Sequence, residues 1–98
     1  MAIISVSRWK ANFEQALPLA REIAPILKRH GATSVRAGPC FAGADAGKVY
    51  VAITFPDWAG FGRAMQAAAA DPEYRRVYAE ALKLGELQDR SVIVSEEL

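Results

Sequence analysis

The sequence holds one cysteine and one histidine in 98 residues. A single thiol excludes an internal disulfide framework and an all-cysteine zinc site, and a single imidazole excludes a multi-histidine metal centre within one chain. The same shortage nearly excludes an intact histidine-based catalytic triad. Charge of one sign is also missing: 12 Lys+Arg stand against 11 Asp+Glu, for a formal net charge of +1. A nucleic-acid module would carry a basic stripe, so this balance argues against such a partner. No segment reaches the roughly 18 consecutive apolar residues that a membrane helix requires. The first residues, Met1 to Arg8, show no basic run followed by a long apolar stretch, so they do not read as a signal peptide. A free thiol without an export signal makes the cytoplasm the expected location.

What is present is an alanine-rich core. Hydrophobic residues make up 52% of the chain and 19 of them are alanines, so the larger apolar side chains suffice for one thin core. The length fits a single domain, residues 1–98.

Residues 2–7 are β-branched and short, without a helical period, and read as a strand. From Lys10 to His30 the period changes. Phe13, Leu17, Ala20, Ile23 or Ala24, and Leu27 recur at three- and four-residue steps, opposite Glu14, Arg21, Glu22, Lys28 and Arg29, which predicts an amphipathic helix. Asn12 and Gln15 supply a capping box and Gly31 the stop. Pro18 and Pro25 are seven residues apart, so both fall on one side, and a bent helix is expected, not two.

Residues 33–42 and 48–55 flank Gly43-Ala44-Asp45-Ala46-Gly47 and read as a hairpin. With Asp45 at the tip, Phe41 faces Val49, Pro39 faces Val51, Ala37 faces Ile53 and Val35 faces Phe55, so every pair on that face is apolar. Ser34, Arg36, Gly38 and Cys40 share the other face with Tyr50, Ala52 and Thr54. Pro39 removes a ladder hydrogen bond and places its strand at a sheet edge. Pro56-Asp57 opens a helix with Trp58, Phe61 and Met65 at helical spacing, Asp71-Pro72 opens another ending near Gly85, and Ser91–Ser95 is the last strand.

The order is β-α-β-β-α-β with the second helix broken in two, an α+β ferredoxin-like arrangement. Right-handed crossovers give a four-stranded antiparallel sheet in order 4-1-3-2, with the Pro39 strand at an edge and the helices on one face. Adjacent apolar residues, Ile3-Ile4 and Val92-Ile93-Val94, imply that both faces are buried. A twofold homodimer with its sheets face to face satisfies that requirement.

In these features the chain resembles the dimeric α/β-barrel superfamily, which includes antibiotic-biosynthesis monooxygenase-like, heme-degrading, EthD-like, NIPSNAP-like and stress-responsive barrel proteins. The resemblance spans nearly the whole chain. It is carried by the element order, the Lys10–Gly31 helix running into a strand, Phe55-Pro56-Asp57-Trp58-Ala59-Gly60-Phe61, and the break at Asp71-Pro72-Glu73-Tyr74. It implies the fold more sharply than any chemistry. Heme-degrading relatives place a tryptophan where Trp58 stands and use a histidine one helix later. Alignment on the break puts Tyr78 there, so the iron-ligating histidine is missing.

Five residues are candidate ligand contacts: Arg36, Tyr50, Trp58, Tyr78 and His30. Each has a plainer reading. For Trp58, with Phe61, the favoured reading is a core aromatic. His30, just before Gly31, would complement the helix dipole and cap free carbonyls. Cys40, with Tyr50 as its expected cross-strand neighbour, reads as an inert thiol. Arg36 lies on the face that a dimer would cover, where a guanidinium needs a carboxylate, such as Glu96 or Glu97, or an anionic ligand, unless its edge position lets it reach water. Two functions stay open. One is a dimeric barrel that binds a small hydrophobic or aromatic ligand, or acts only as a scaffold. The other is a cofactor-independent monooxygenase-like enzyme acting on an aromatic substrate. Neither calls for a cofactor or metal, and no acid–base pair is readable from spacing.

Overall fold

Alternation along the first strand organises the molecule. The computed structural model describes Met1–Leu98. It contains β1 (Ala2–Lys10), α1 (Phe13–Arg29), β2 (Ser34–Pro39), β3 (Val49–Phe55), α2 (Trp58–Ala70), α3 (Pro72–Leu84) and β4 (Glu86–Ser95). Along β1 the odd residues Ile3, Ser5, Ser7 and Trp9 are buried beneath the helices, and the even ones are only partly covered. The antiparallel sheet has the order β2-β3-β1-β4. This is the ferredoxin-like topology that right-handed connections require, and it leaves β2, with Pro39, at one edge.

Two strands are longer than periodicity predicts. β1 continues past Ser7 through Arg8, Trp9 and Lys10, and β4 begins at Glu86 and not at Ser91. The extensions form together. Arg8 pairs with Asp89, then the register shifts, so that Trp9 opposes Leu87 and Lys10 opposes Glu86. A bulge of this kind is a backbone event with little signature in hydropathy. The hairpin is also corrected. Face sorting is as expected, but the register is displaced by two residues: Val35 opposes Ile53, Ala37 opposes Val51 and Pro39 opposes Val49. A two-residue shift keeps every side chain on its face, so apolar sorting cannot detect it. The loop carries the difference. Cys40 closes the ladder against Lys48, Gly47 N–H donates to Cys40 O at 3.0 Å, and Phe41 projects wholly into solvent instead of facing Val49.

α1 is one continuous helix through both prolines, capped by Asn12, whose side chain accepts from Gln15 N–H at 3.1 Å. Gly31, at φ 116°, turns the chain out of it. Asp57 caps α2 by accepting from Gly60 N–H at 2.7 Å. Asp71 serves both neighbouring helices. Its N–H closes α2 on Ala68 O at 3.0 Å, and its carboxylate starts α3 by accepting from Glu73 N–H at 2.9 Å.

The core joins Ile3, Phe55, Leu27, Ala32, Ala64 and Ala68. Complete burial of Phe55, Ile3 and Leu27 contributes about 1.5–3 kcal/mol for each side chain. Ala64 and Ala68 are one helical turn apart, so α2 presents a smooth stripe and packs close on the sheet. Of the 19 alanines, three, Ala32, Ala64 and Ala68, are buried in the core. The helices leave β4 largely uncovered: Val92, Ile93 and Val94 are 44%, 43% and 50% exposed, although pairing with Ser5 and Ile3 sets Val92 and Val94 on the helix side.

Gly85 marks the tightest crossing. A Cβ at this position would sit 2.7 Å from Ala11 Cβ and 3.0 Å from the Lys10 carbonyl oxygen, and neither can yield without moving backbone. Gly85→Ala is therefore expected to lower stability by about 1–3 kcal/mol, the usual range for overpacking. The urea unfolding midpoint measures this, and an unchanged midpoint would contradict the crossing.

Candidate functional site

Helical and strand periods converge on one cleft between α1, α3 and the covered sheet face. Its volume is about 90 Å³. From α1, Phe13, Ala16, Ala20 and Ile23 face it at three- and four-residue steps, and from α3, Tyr74, Val77, Tyr78 and Ala81 do so. The sheet contributes Ser7, Trp9 and Arg90 beside β3 and β2 aliphatics. Trp9 meets Tyr78 edge to face at 5.9 Å, and Tyr78 stacks on Tyr74 at 5.9 Å with 21° between planes. Such pairs are worth about 0.5–1.5 kcal/mol beyond area burial and hold the rings in place.

Few polar atoms reach this cleft. The indole N–H of Trp9 is spent on Ser7 Oγ at 2.9 Å, which leaves the Ser7 proton, the two phenols and the Arg90 guanidinium. Burial pushes the Tyr74 phenol above its ordinary value, and the nearby Arg90 charge opposes that shift. Tyr74 is thus a neutral hydrogen-bond donor at physiological pH, not a phenolate base. No carboxylate or imidazole lines the cleft. The arrangement can bind and orient a flat apolar molecule, and it holds no group suited to taking a proton near neutrality.

Of the five sequence candidates, the structure brings only Tyr78 to this cleft. Trp58 lies outside it, 52% exposed at the start of α2 and edge to face with Phe61 at 6.1 Å. Tyr50 and Arg36 are on the opposite sheet face. Tyr50 opposes Gly38, not Cys40, with its ring lying over the glycine. Arg36 is exposed and makes no ion pair, and Glu96 instead meets the amino terminus at 3.6 Å. The paired arginine of that face is Arg8, held by Asp45 at 3.2 Å and Asp89 at 2.9 Å. His30 differs from its expected role. Its backbone N–H caps Ile26 O and Leu27 O, while its imidazole is bonded through Nε2 to Asp71 Oδ2 at 2.7 Å.

Sequence reasoning missed Trp9, Tyr74 and Arg90 as site residues. The available signal for Trp9 was the alternation Ile3-Ser5-Ser7-Trp9, masked by two serines on a buried face. Tyr74 shares the helical face of Tyr78 and was detectable. Arg90 lies outside the strand read over Ser91–Ser95, and its orientation follows from the longer β4, in regular alternation with Val92 and Val94.

A model of the family described as "Domain of unknown function (DUF6854)" matches residues 1–94. The chain belongs to this family. No curated protein matches this DUF6854 chain significantly. Among solved structures it is similar to a mutant form of SnoaB, a cofactor-independent oxygenase from Streptomyces nogalater, with a TM-score of 0.75 and 12% identity over 99% of this chain and 95% of that one. A NIPSNAP family protein from Agrobacterium tumefaciens gives 0.70 and 12%, again covering 99% and 95%. A second NIPSNAP family protein from the same organism, of unknown function, gives 0.71 and 12% over 94% and 86%. These likenesses establish the ferredoxin-like fold of the antibiotic-biosynthesis monooxygenase and NIPSNAP relatives. At such identities they carry no activity. No helix of this chain is long and apolar enough to cross a membrane.

The Asp71 cluster generates a pH prediction. Asp71 also binds Arg29 at 3.0 Å. Its hydrogen bond to His30, followed by bonds from the Glu73 backbone and Arg29, holds its carboxyl down at about 2. A depressed folded value stabilises the fold above the ordinary carboxylate pKa, and that contribution is lost as pH falls towards 2. Asp71→Asn keeps an N-cap but removes the charge. Its urea midpoint is expected to lie below that of the native protein above pH 4, with the gap narrowing between pH 4 and 2. A gap that is constant over that window would exclude the ionic contribution.

Proposed function

We propose that this DUF6854 protein is a dimeric α/β barrel, a single domain over 1–98, that binds a small aromatic ligand in the cleft between α1, α3 and the sheet. The observation carrying the reading is the Trp9–Tyr78–Tyr74 arrangement in an otherwise aliphatic cleft with few polar groups, the usual composition of a small-molecule site. Tyr78 enters this proposal as a ligand contact, and Arg36 and Tyr50 as residues of the dimer face. Trp58 and His30 stand outside both. A free, half-exposed Cys40 favours a reducing, cytoplasmic setting.

The second copy is argued from the uncovered face. Ile4, Val6, Ala52 and Ile93 share it, and Ile4 pairs directly with Ile93. The outline of this face is roughly 400 Å², about half of the ~800 Å² per partner found in standard interfaces. Apolar surface beside it supplies more: Phe41 is fully exposed on the hairpin loop, which Asp45 ties to Arg8 on this face. Ile93→Asp places a charge where solvent reaches it in one chain but not in a dimer. Sedimentation is expected to show a native dimer at micromolar concentration and a folded Ile93→Asp monomer. A native monomer under these conditions would remove the dimer from the proposal.

The likeness to a cofactor-independent oxygenase supports a second reading, oxygenation of an aromatic substrate held in this cleft. Such chemistry needs the substrate made electron-rich by loss of a proton, and the lining offers only phenols and a serine for that purpose. Binding is therefore the better-supported function.

The two indole N–H resonances locate the site. On titration with p-cresol, the Trp9 resonance is expected to shift and that of Trp58 to stay in place, with the response lost in Trp9→Phe and retained in Trp58→Phe. Movement of the Trp58 resonance alone would shift the site to the start of α2.

A further inference from the structure

The one charged group of the cleft lining has no protein partner. Arg8, Arg29 and Arg76 each hold a carboxylate, from Asp45 and Asp89, from Asp71 and Glu73, and from Glu22. Arg21, Arg36, Arg63, Arg75 and Arg90 form no ion pair. Of these only Arg90 lines the cleft, and it is unpaired although Asp89 precedes it. Strand alternation explains this: Asp89 opposes Arg8 on the open face, and Arg90 opposes Ser7 on the helix side. The nearest acid in sequence is thereby turned away, and the guanidinium stands at the solvent-accessible edge of an aromatic cleft beside Tyr74.

We infer that Arg90 recognises an acidic group on the ligand, and that the ligand class is a single-ring aromatic carboxylic acid. This inference rests on the cleft being the ligand site. A planar carboxylate matches the two-pronged donor geometry of guanidinium. Tyr74, kept neutral by burial, is a second donor on the same side. The ring then lies towards Trp9 and Tyr78, with its apolar edge against α1. Size sets the upper limit. The cleft is about 90 Å³, below the ~150 Å³ of a cavity known to hold benzene. On that comparison the cleft encloses only part of a single ring, with the acidic end at the open mouth, and a fused polycycle does not fit.

Benzoate and benzamide provide the test, since they share ring and shape and differ in charge. Binding to the full-length native protein is followed by the Trp9 indole resonance. Benzoate is expected to bind at least about tenfold more tightly than benzamide, the difference typical of a hydrogen bond to a charged group. Arg90→Met should abolish the preference while leaving benzamide affinity unchanged, and Arg90→Lys should restore part of it. Because Arg90 is exposed and unpaired, both variants are expected to fold, as circular dichroism will show. Equal affinity for the two probes in the native protein, or a preference that survives Arg90→Met, overturns the acid inference and leaves the cleft as a neutral site. If p-cresol, benzoate and benzamide all leave Trp9 unmoved, the cleft reading itself fails, and this inference fails with it.

Discussion

The central position of β1 is the constraint on which the rest depends. It is hydrogen-bonded on both sides, to β3 over Ile3–Trp9 and to β4 over Ala2–Lys10. A strand held on both edges cannot slip by one residue without exchanging its faces. Its alternation therefore decides which side the helices cover. Ile3 anchors the packed end with Phe55 and Leu27, where the small residues of α2 close tightly. Trp9 stands at the other end, where it meets Tyr78 edge to face in the cleft between α1, α3 and the sheet. One strand thus sets the position of both the core and the site.

At one corner of the helix layer, charge adds to the apolar packing of Leu27, Ala32 and Ala68. Asp71 is the joint between α2 and α3, the N-cap of α3, and the partner of His30 and Arg29 from the end of α1. A group with this many hydrogen bonds fixes the angle at which α3 leaves the joint, and hence where Tyr74 and Tyr78 lie over the sheet. The single imidazole of the chain is accounted for by this structural work, at a corner of the fold outside the cleft lining.

The same topology carries a cofactor-independent oxygenase and NIPSNAP family proteins of unknown function, so the fold does not select a chemistry. In the proposed site, aromatic rings supply area at little entropic cost, the Tyr74 and Tyr78 phenols supply donors, and the unpaired Arg90 guanidinium supplies charge. Groups able to accept a proton near neutrality lie elsewhere: the acids sit on helix surfaces, at caps and on the open sheet face.

The sequence by itself determined the element order, the strand order, the edge position of Pro39 and the facial sorting of the hairpin. Each follows from local chemistry, namely period, capping residues, proline's missing donor and the handedness of crossovers. Tyr78 was singled out through the resemblance at the Asp71-Pro72 break, and the structure brings it to the cleft. Tertiary structure decided what local chemistry leaves degenerate. The hairpin register moved by two residues because that shift preserves both faces. β1 and β4 lengthened together around a bulge because each supplies the other's hydrogen bonds, and strand alternation along the extensions set Trp9 and Arg90 on the cleft side and Asp89 away from it. Trp58, His30 and Arg36 have residue types suited to binding, but their positions are set by long-range packing that sequence spacing does not encode.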